Sequence, residues 1–120
     1  MQDVLDQEVL NELLSFTEEG DPELLLDLIH MFLDDSPSKV SAIDHGLESG
    51  NFDKVERAAH SLKGSSGNLG ARQVQHLCEQ LLSTTRNREL NQSKSVAKQL
   101  AAQFDQATAA LKSVLSDYEN

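Results

Sequence analysis

From Val4 to Tyr118 the apolar residues of this chain return at spacings of three and four, and nowhere do apolar and polar residues alternate long enough to argue a strand. A chain with that period must bury its stripes helix against helix, so the sequence predicts an all-α fold. With 120 residues, 38% of them hydrophobic, there is material for one core, and residues 1–120 are expected to form a single domain. Aromatic residues make up only 4% and tryptophan is absent, which leaves aliphatic side chains to fill that core. No run approaches the roughly 20 apolar residues that a membrane helix requires. The acidic opening Met1-Gln2-Asp3 does not read as a secretory signal, and a cytoplasmic chain is expected. The lone Cys78 cannot close an internal disulfide, and the four histidines lack zinc-site spacing.

Breaks between the stripes set the element order. Val4 to Phe16 reads as a short amphipathic helix ended by Glu18-Glu19-Gly20, after which Asp21 is expected as an N-cap with Pro22 at the first helical position. Leu25, Ile29, Phe32, Val40, Ile43 and Leu47 mark one stripe down a long segment that Pro37 interrupts, which predicts a kink or a restart capped by Ser36. Gly50-Asn51 closes that segment. A third helix, about Phe52 to Leu69, turns Phe52, Val55, Ala59, Leu62, Ser66 and Leu69 inward. Gly70 breaks it, and a fourth, about Arg72 to Arg86, does the same with Val74, Leu77, Cys78, Leu81 and Leu82. Polar residues Thr84 to Ser93 read as a connector into a long last helix with Ala97, Leu100, Phe104, Ala107, Leu111, Val114 and Tyr118 inward. Four long helices with short links predict an antiparallel up-and-down four-helix bundle, its one end covered by the short N-terminal helix.

The formal net charge of -10 disfavours nucleic acid and anionic membrane as partners, since both repel a surface of their own sign. That charge is unevenly spread. Residues 1–50 carry thirteen acidic side chains and a single basic one, Lys39, whereas residues 51–75 carry Lys54, Arg57, Lys63 and Arg72 against Asp53 and Glu56. A locally basic stretch thus lies inside an acidic chain, on and just after the third helix.

On that helix His60 falls one position past the inward Ala59, which directs it away from the core. The residues three, four and seven positions away share its face, and they include Glu56, Arg57, Lys63, Gly64 and Gly67. A glycine inside a helix costs about 0.8 to 1 kcal/mol relative to alanine, and an outward position offers no internal packing reason for two of them. Something outside the domain is expected to come close. A solvent-facing imidazole is a nucleophile at neutral pH and can form a covalent intermediate without burial. Lys63, one turn on, can set an ammonium beside a phosphoryl group carried on that ring, and Arg57, one turn back, can do so less directly. Bare backbone at Gly64 would admit a partner. No nucleotide site, metal cage or triad lies near in sequence, so this face can hold a phosphoryl group but cannot itself activate one.

The string His60-Ser61-Leu62-Lys63-Gly64-Ser65-Ser66-Gly67-Asn68-Leu69-Gly70 resembles the signature of the histidine phosphotransfer (HPt) domains of bacterial multistep phosphorelays. That signature is His, any residue, aliphatic, Lys, Gly, two small residues, two further positions, aliphatic, Gly. Ala58-Ala59, Leu77-Cys78-Glu79 and the Leu25 to Pro37 segment also resemble the family. The resemblance implies that His60 accepts the phosphoryl group, that Lys63 stabilises it and that Gly64 clears space for a receiver domain. It implies a phosphoryl carrier rather than an enzyme, exchanging with receiver-domain aspartates of response regulators and of a hybrid histidine kinase. No cofactor of the chain's own is implied, the magnesium being supplied by the receiver. The partner surface around His60 is expected to include Arg57, Gly67, Asn68 and Arg72, and the chain is expected to be a monomer. It departs from the family at Leu82, 22 residues after His60, where several members place a glutamine that hydrogen-bonds the imidazole. A water, Glu79 or Gln80 are the alternatives for orienting the ring.

Blander readings apply elsewhere. A helical histidine without such neighbours is ordinarily a structural or surface residue, and His30, His45 and His76 are read that way, with Cys78 as a small core hydrophobe. The run from Gly64 to Gly70 is not a phosphate-cradling loop, because no strand precedes it and the lysine comes before the glycines. Lys54, Arg57 and Arg72 could serve structure instead, paired with Asp53, Glu56 or Glu79. The rival function is a non-catalytic helical interaction or adaptor module, which would show an exposed apolar stripe beyond what four helices bury. A hydrolase using the histidine as a base lacks a partner nucleophile or a metal set.

Overall fold

The computed structural model describes residues 4–16 and 21–119, so the expected breaker Glu18-Glu19-Gly20 and the opening Met1-Gln2-Asp3 lie outside the described residues. Five helices follow in chain order: α1 Gln7–Ser15, α2 Glu23–Ser49, α3 Phe52–Asn68, α4 Arg72–Arg86 and α5 Leu90–Glu119. No strand occurs among the described residues. Each of α2 to α5 packs on its neighbour in the chain and α5 returns against α2, which closes the four-helix bundle.

Two-residue geometry at Gly50-Asn51 sets the first hairpin. Gly50 takes the left-handed conformation (φ 69°) and its N–H reaches back to the carbonyls of Gly46 and Leu47. The Asn51 side chain then accepts the Lys54 N–H at 3.1 Å and opens α3. Just below this turn α2 and α3 come closest. A Cβ placed on buried Gly46 would lie 2.6 Å from Val55 Cγ2 and 3.1 Å from the Asn51 carbonyl oxygen. From there α3 presents Val55, Ala59, Leu62 and Ser66, all fully buried, to Leu25, Ile29, Phe32 and Ile43 of α2, to Val74, Cys78 and Leu81 of α4, and to Leu100 and Leu111 of α5 within one core. The Phe32 and Phe104 rings, 5.9 Å apart, join α2 to α5.

At the opposite end α1 packs on α2, and Asp6, the residue that caps it, lies over the turn from α3 into α4. The Asp6 N–H donates to the Gly70 carbonyl at 2.8 Å, Asp6 Oδ2 accepts from Arg72 Nε at 3.2 Å, and Leu5 and Leu10 are buried. Gly70 is left-handed (φ 75°) and any side chain on it would press on the Asp6 backbone about 3.0 Å away.

Several expectations are corrected. No restart occurs at Pro37, since α2 stays helical from Glu23 to Ser49, and Ser36 caps nothing: it is fully buried, in the inward place between Phe32 and Val40 that keeps the stripe in register. Pro37 faces solvent, so the carbonyl its missing N–H leaves unpaired can turn to water, and the helix survives because the stripe continues on both sides. Pro22 sits at the α2 boundary rather than inside its first turn, while Asp21 still supplies the cap by accepting the Glu23 N–H at 3.0 Å. The expected connector shrinks to Asn87–Glu89. Thr85 and Ser93 are buried within helices because their hydroxyls find partners, Thr85 Oγ1 donating to the Leu81 carbonyl at 2.9 Å and Ser93 Oγ to Thr84 Oγ1 at 2.8 Å. Phe52 is only half-buried, with the Arg88 guanidinium 5.1 Å over its ring. Tyr118 is exposed rather than inward, in the last turn of α5.

The close approach at Gly46 generates a test. Gly46→Ala should destabilise the fold by about 1 to 2 kcal/mol, the overpacking penalty exceeding the gain in helix propensity. Thermal or urea melts check this, and an unchanged midpoint would show that the two helices separate freely there.

Candidate functional site

Because the α3 stripe is fully buried, its opposite side is held toward water. His60, Arg57, Gly64 and Asn68 are exposed on it. Gly64 is open in the strict sense: a Cβ built there meets nothing within 4 Å. Lys63 leans toward α4, half-buried, with its Nζ 3.8 Å from Glu79 Oε1. Glu56 leans the same way and pairs with Arg86 Nε at 3.4 Å. Gly67 is half-buried, and a Cβ on it would come within 2.9 Å of the Gln75 amide nitrogen, the far end of a flexible side chain that can move aside, so Gly64 lies in open space while Gly67 lies beside α4.

These contacts form a register. Gly67 with Gln75, Lys63 with Glu79, and Glu56 with Arg86 are three nested pairs, each centred on Ala71 in the turn between α3 and α4. Glu79 and Gln75 enter the site only through this pairing, and an antiparallel register counted outward from the Gly70 break is the sequence signal that would have found them. Arg72 lies at the mouth of the hairpin, tied to Asp6 and, through Nη1, to Gln75 Oε1 at 3.2 Å. Its carboxylate partner is thus Asp6, the N-cap of α1, and none of the three acids weighed from sequence. On the other flank Asn68 borders a groove of about 160 Å³ between α2 and α3, beside Met31, Ser36, Lys39 and Ser65.

The candidates for orienting the imidazole are otherwise engaged. Leu82 is in the core, Glu79 faces Lys63, and Gln80 donates to His76 Nε2 at 3.1 Å. Among the described residues none hydrogen-bonds the His60 ring. Beneath the Lys63–Glu79 pair lies Cys78, fully buried, its thiol pushed up to about 12 by desolvation, with Lys63 lowering and Glu79 raising it further. A thiol so protonated is a packing group and not a nucleophile. His30 donates to Glu119 Oε1 at 3.0 Å, tying the end of α5 to α2. Large apolar residues that are exposed, Phe16, Met31 and Tyr118, are single and on separate elements, which is not the stripe an adaptor face would need. No described helix is long and apolar enough to cross a membrane.

What this arrangement can do is present a nucleophilic ring to a second molecule. The ring is unobstructed, an ammonium stands one turn away, and the backbone between them is bare at Gly64.

Comparison with known proteins identifies the family and the fold. The family profile of the Hpt domain matches residues 27–113. The histidine-containing phosphotransfer protein 5 of Arabidopsis thaliana is 32% identical over 80 residues, which are 64% of this chain and 50% of that protein. Histidine-containing phosphotransfer protein 2 of Oryza sativa subsp. japonica is 38% identical over 65 residues, 52% of this chain and 44% of the relative. The chain therefore spans about half the length of the curated relatives it matches. The crystal structure of histidine-containing phosphotransfer protein B from Pseudomonas aeruginosa superposes with a TM-score of 0.87 at 26% identity, covering 98% of this chain and 99% of that one. With its profile match extending over most of its length and its bundle superposing end to end on a solved relative, this chain belongs to the Hpt domain family.

Proposed function

We propose that this chain is a phosphoryl carrier of a multistep phosphorelay, taking a phosphoryl group from a receiver-domain aspartate onto His60 and passing it to the aspartate of another receiver. The observation that carries the reading is the exposed His60 imidazole, with Lys63 one turn on and open space at Gly64, on a helix whose other side is sealed in the core. In the forward step an unprotonated ring nitrogen attacks phosphorus, the P–N bond forms as the P–O bond of the acyl phosphate breaks, and the receiver carboxylate leaves. Reversal returns the phosphoryl group to an aspartate. The chain supplies nucleophile, countercharge and access, while the magnesium that screens the aspartyl phosphate is expected in the receiver's pocket, so the chain needs no cofactor and acts as carrier rather than enzyme. Gly64 gives the steric access. Arg57, Gly67, Asn68 and Arg72 border the docking surface, with Gly67 and Arg72 shaping it through Gln75 and Asp6. Receivers of response regulators and of a hybrid histidine kinase are the partners, and the domain works as a cytoplasmic monomer.

Incubation with a phosphorylated receiver tests this directly. Wild type should acquire acid-labile, base-stable phosphate, and His60→Gln should acquire none while its stability stays within about 0.5 kcal/mol, as surface substitutions usually do. Labelling of the variant at the wild-type level would refute the assignment.

Gly64 separates access from packing. Gly64→Ala should stabilise the domain by about 0.5 to 1 kcal/mol, because alanine suits the helix and meets nothing there. Gly64→Gln should keep the fold yet slow transfer in both directions. A large loss of stability in the Gln variant, with normal transfer, would overturn the access argument.

NMR shift mapping with a receiver should light up Arg57, Lys63, Gly64, Gly67, Asn68 and Arg72. Shifts confined to α5 would place the partner elsewhere.

A further inference from the structure

Lys63 does not stand free beside His60. Its ammonium faces the Glu79 carboxylate across the α3–α4 seam at 3.8 Å, with Lys63 36% and Glu79 51% exposed. That separation is an ion-pair distance but exceeds the about 2.7 to 3.2 Å of a hydrogen bond, so the carboxylate holds the ammonium by charge while its three N–H donors stay available. The placement follows from the hairpin register, flanked by the Glu56–Arg86 pair on one side and the Gly67–Gln75 contact on the other. Glu56, the nearest alternative carboxylate on α3, is taken by Arg86.

We infer that Glu79 is a positioning residue for Lys63, holding its ammonium toward α4 in the unphosphorylated domain and yielding it when a phosphoryl group arrives on His60; this rests on the carrier reading above. A phosphoryl group carries up to about two negative charges, so it attracts the ammonium more strongly than one carboxylate does. The lysine therefore passes from Glu79 to the phosphoryl group, and the carboxylate left behind opposes the new contact. Glu79 thereby weakens the hold of Lys63 on the phosphoryl group and keeps phosphohistidine from becoming a sink. No bond is made or broken by Glu79, and its effect runs through Lys63.

The experiment measures the equilibrium distribution of phosphate between the domain and a phosphorylated receiver, together with the lifetime of the phosphohistidine, for wild type, Glu79→Gln, Glu79→Asp, Lys63→Ala and the Lys63→Ala, Glu79→Gln double variant. Glu79→Gln should shift the distribution toward His60 about two- to fivefold, the scale of an exposed ion pair, and lengthen the lifetime, with little change in melting temperature. Glu79→Asp, which keeps the charge, should stay nearer wild type than Glu79→Gln. In the Lys63→Ala background the glutamine substitution should have no further effect. Lys63→Ala alone should shorten the lifetime or slow transfer. A Glu79→Gln variant that labels and decays like wild type overturns the inference, and so does an effect that persists without Lys63. Failure of the wild-type domain to label at all would instead refute the carrier reading.

Discussion

Burial of Val55, Ala59, Leu62 and Ser66, none of which exposes surface to solvent, fixes α3 against rotation about its own axis. Turning the helix by one residue would bring Leu62 and Val55 toward water, at roughly 1.5 to 3 kcal/mol for each large apolar side chain, and would carry the His60 side toward the core. The contact between Gly46 and Val55 removes the other freedom, sliding, because α2 and α3 touch there almost backbone to side chain. With rotation and translation both set, the direction in which His60 points follows from residues that take no part in its chemistry.

The same register governs the charges. The basic stretch inside an acidic chain suggests a positive patch, yet Lys63 is matched by Glu79, Arg72 by Asp6, and Glu56 by Arg86. What faces outward near His60 is mostly compensated charge, with Arg57 outside any ion pair among the described residues. Long-range steering from this face is correspondingly weak, and under the proposed reading recognition of a receiver depends more on shape, above all on the clear space at Gly64.

How much of this was legible in the sequence depends on the range of the interaction involved. The α3 stripe, the exposed His60 and the open Gly64 follow from local period, which a sequence displays directly. The restart at Pro37 does not occur, and the reason, its exposed position and hence the ease of solvating the freed carbonyl, is a tertiary fact. Thr85 and Ser93 read as loop because their hydroxyls look solvent-seeking, and only the fold shows them bonded to the Leu81 carbonyl and Thr84. Tyr118 continued the period but is exposed at the end of α5, although that end is tied to α2 by the His30–Glu119 pair. Gly67 and Lys63 required knowing what α4 sets opposite them, and that was recoverable: once Gly70 is taken as the turn, counting outward from Ala71 pairs them with Gln75 and Glu79.

Under the carrier reading proposed above, a phosphoryl group has to be bound without being kept, and the groups around His60 are left incompletely satisfied. Among the described residues none hydrogen-bonds the His60 ring, and Leu82 is buried. The ammonium beside it is shared with a carboxylate at 3.8 Å, half in water, where Coulomb attraction is screened and cheaply exchanged. A buried, fully hydrogen-bonded lysine would bind phosphate harder and would also make its departure slow. Keeping nucleophile, ammonium and carboxylate on the solvent side of α3 and α4 leaves the core free to be apolar and rigid, so the bundle supplies fixed position while the surface supplies exchange.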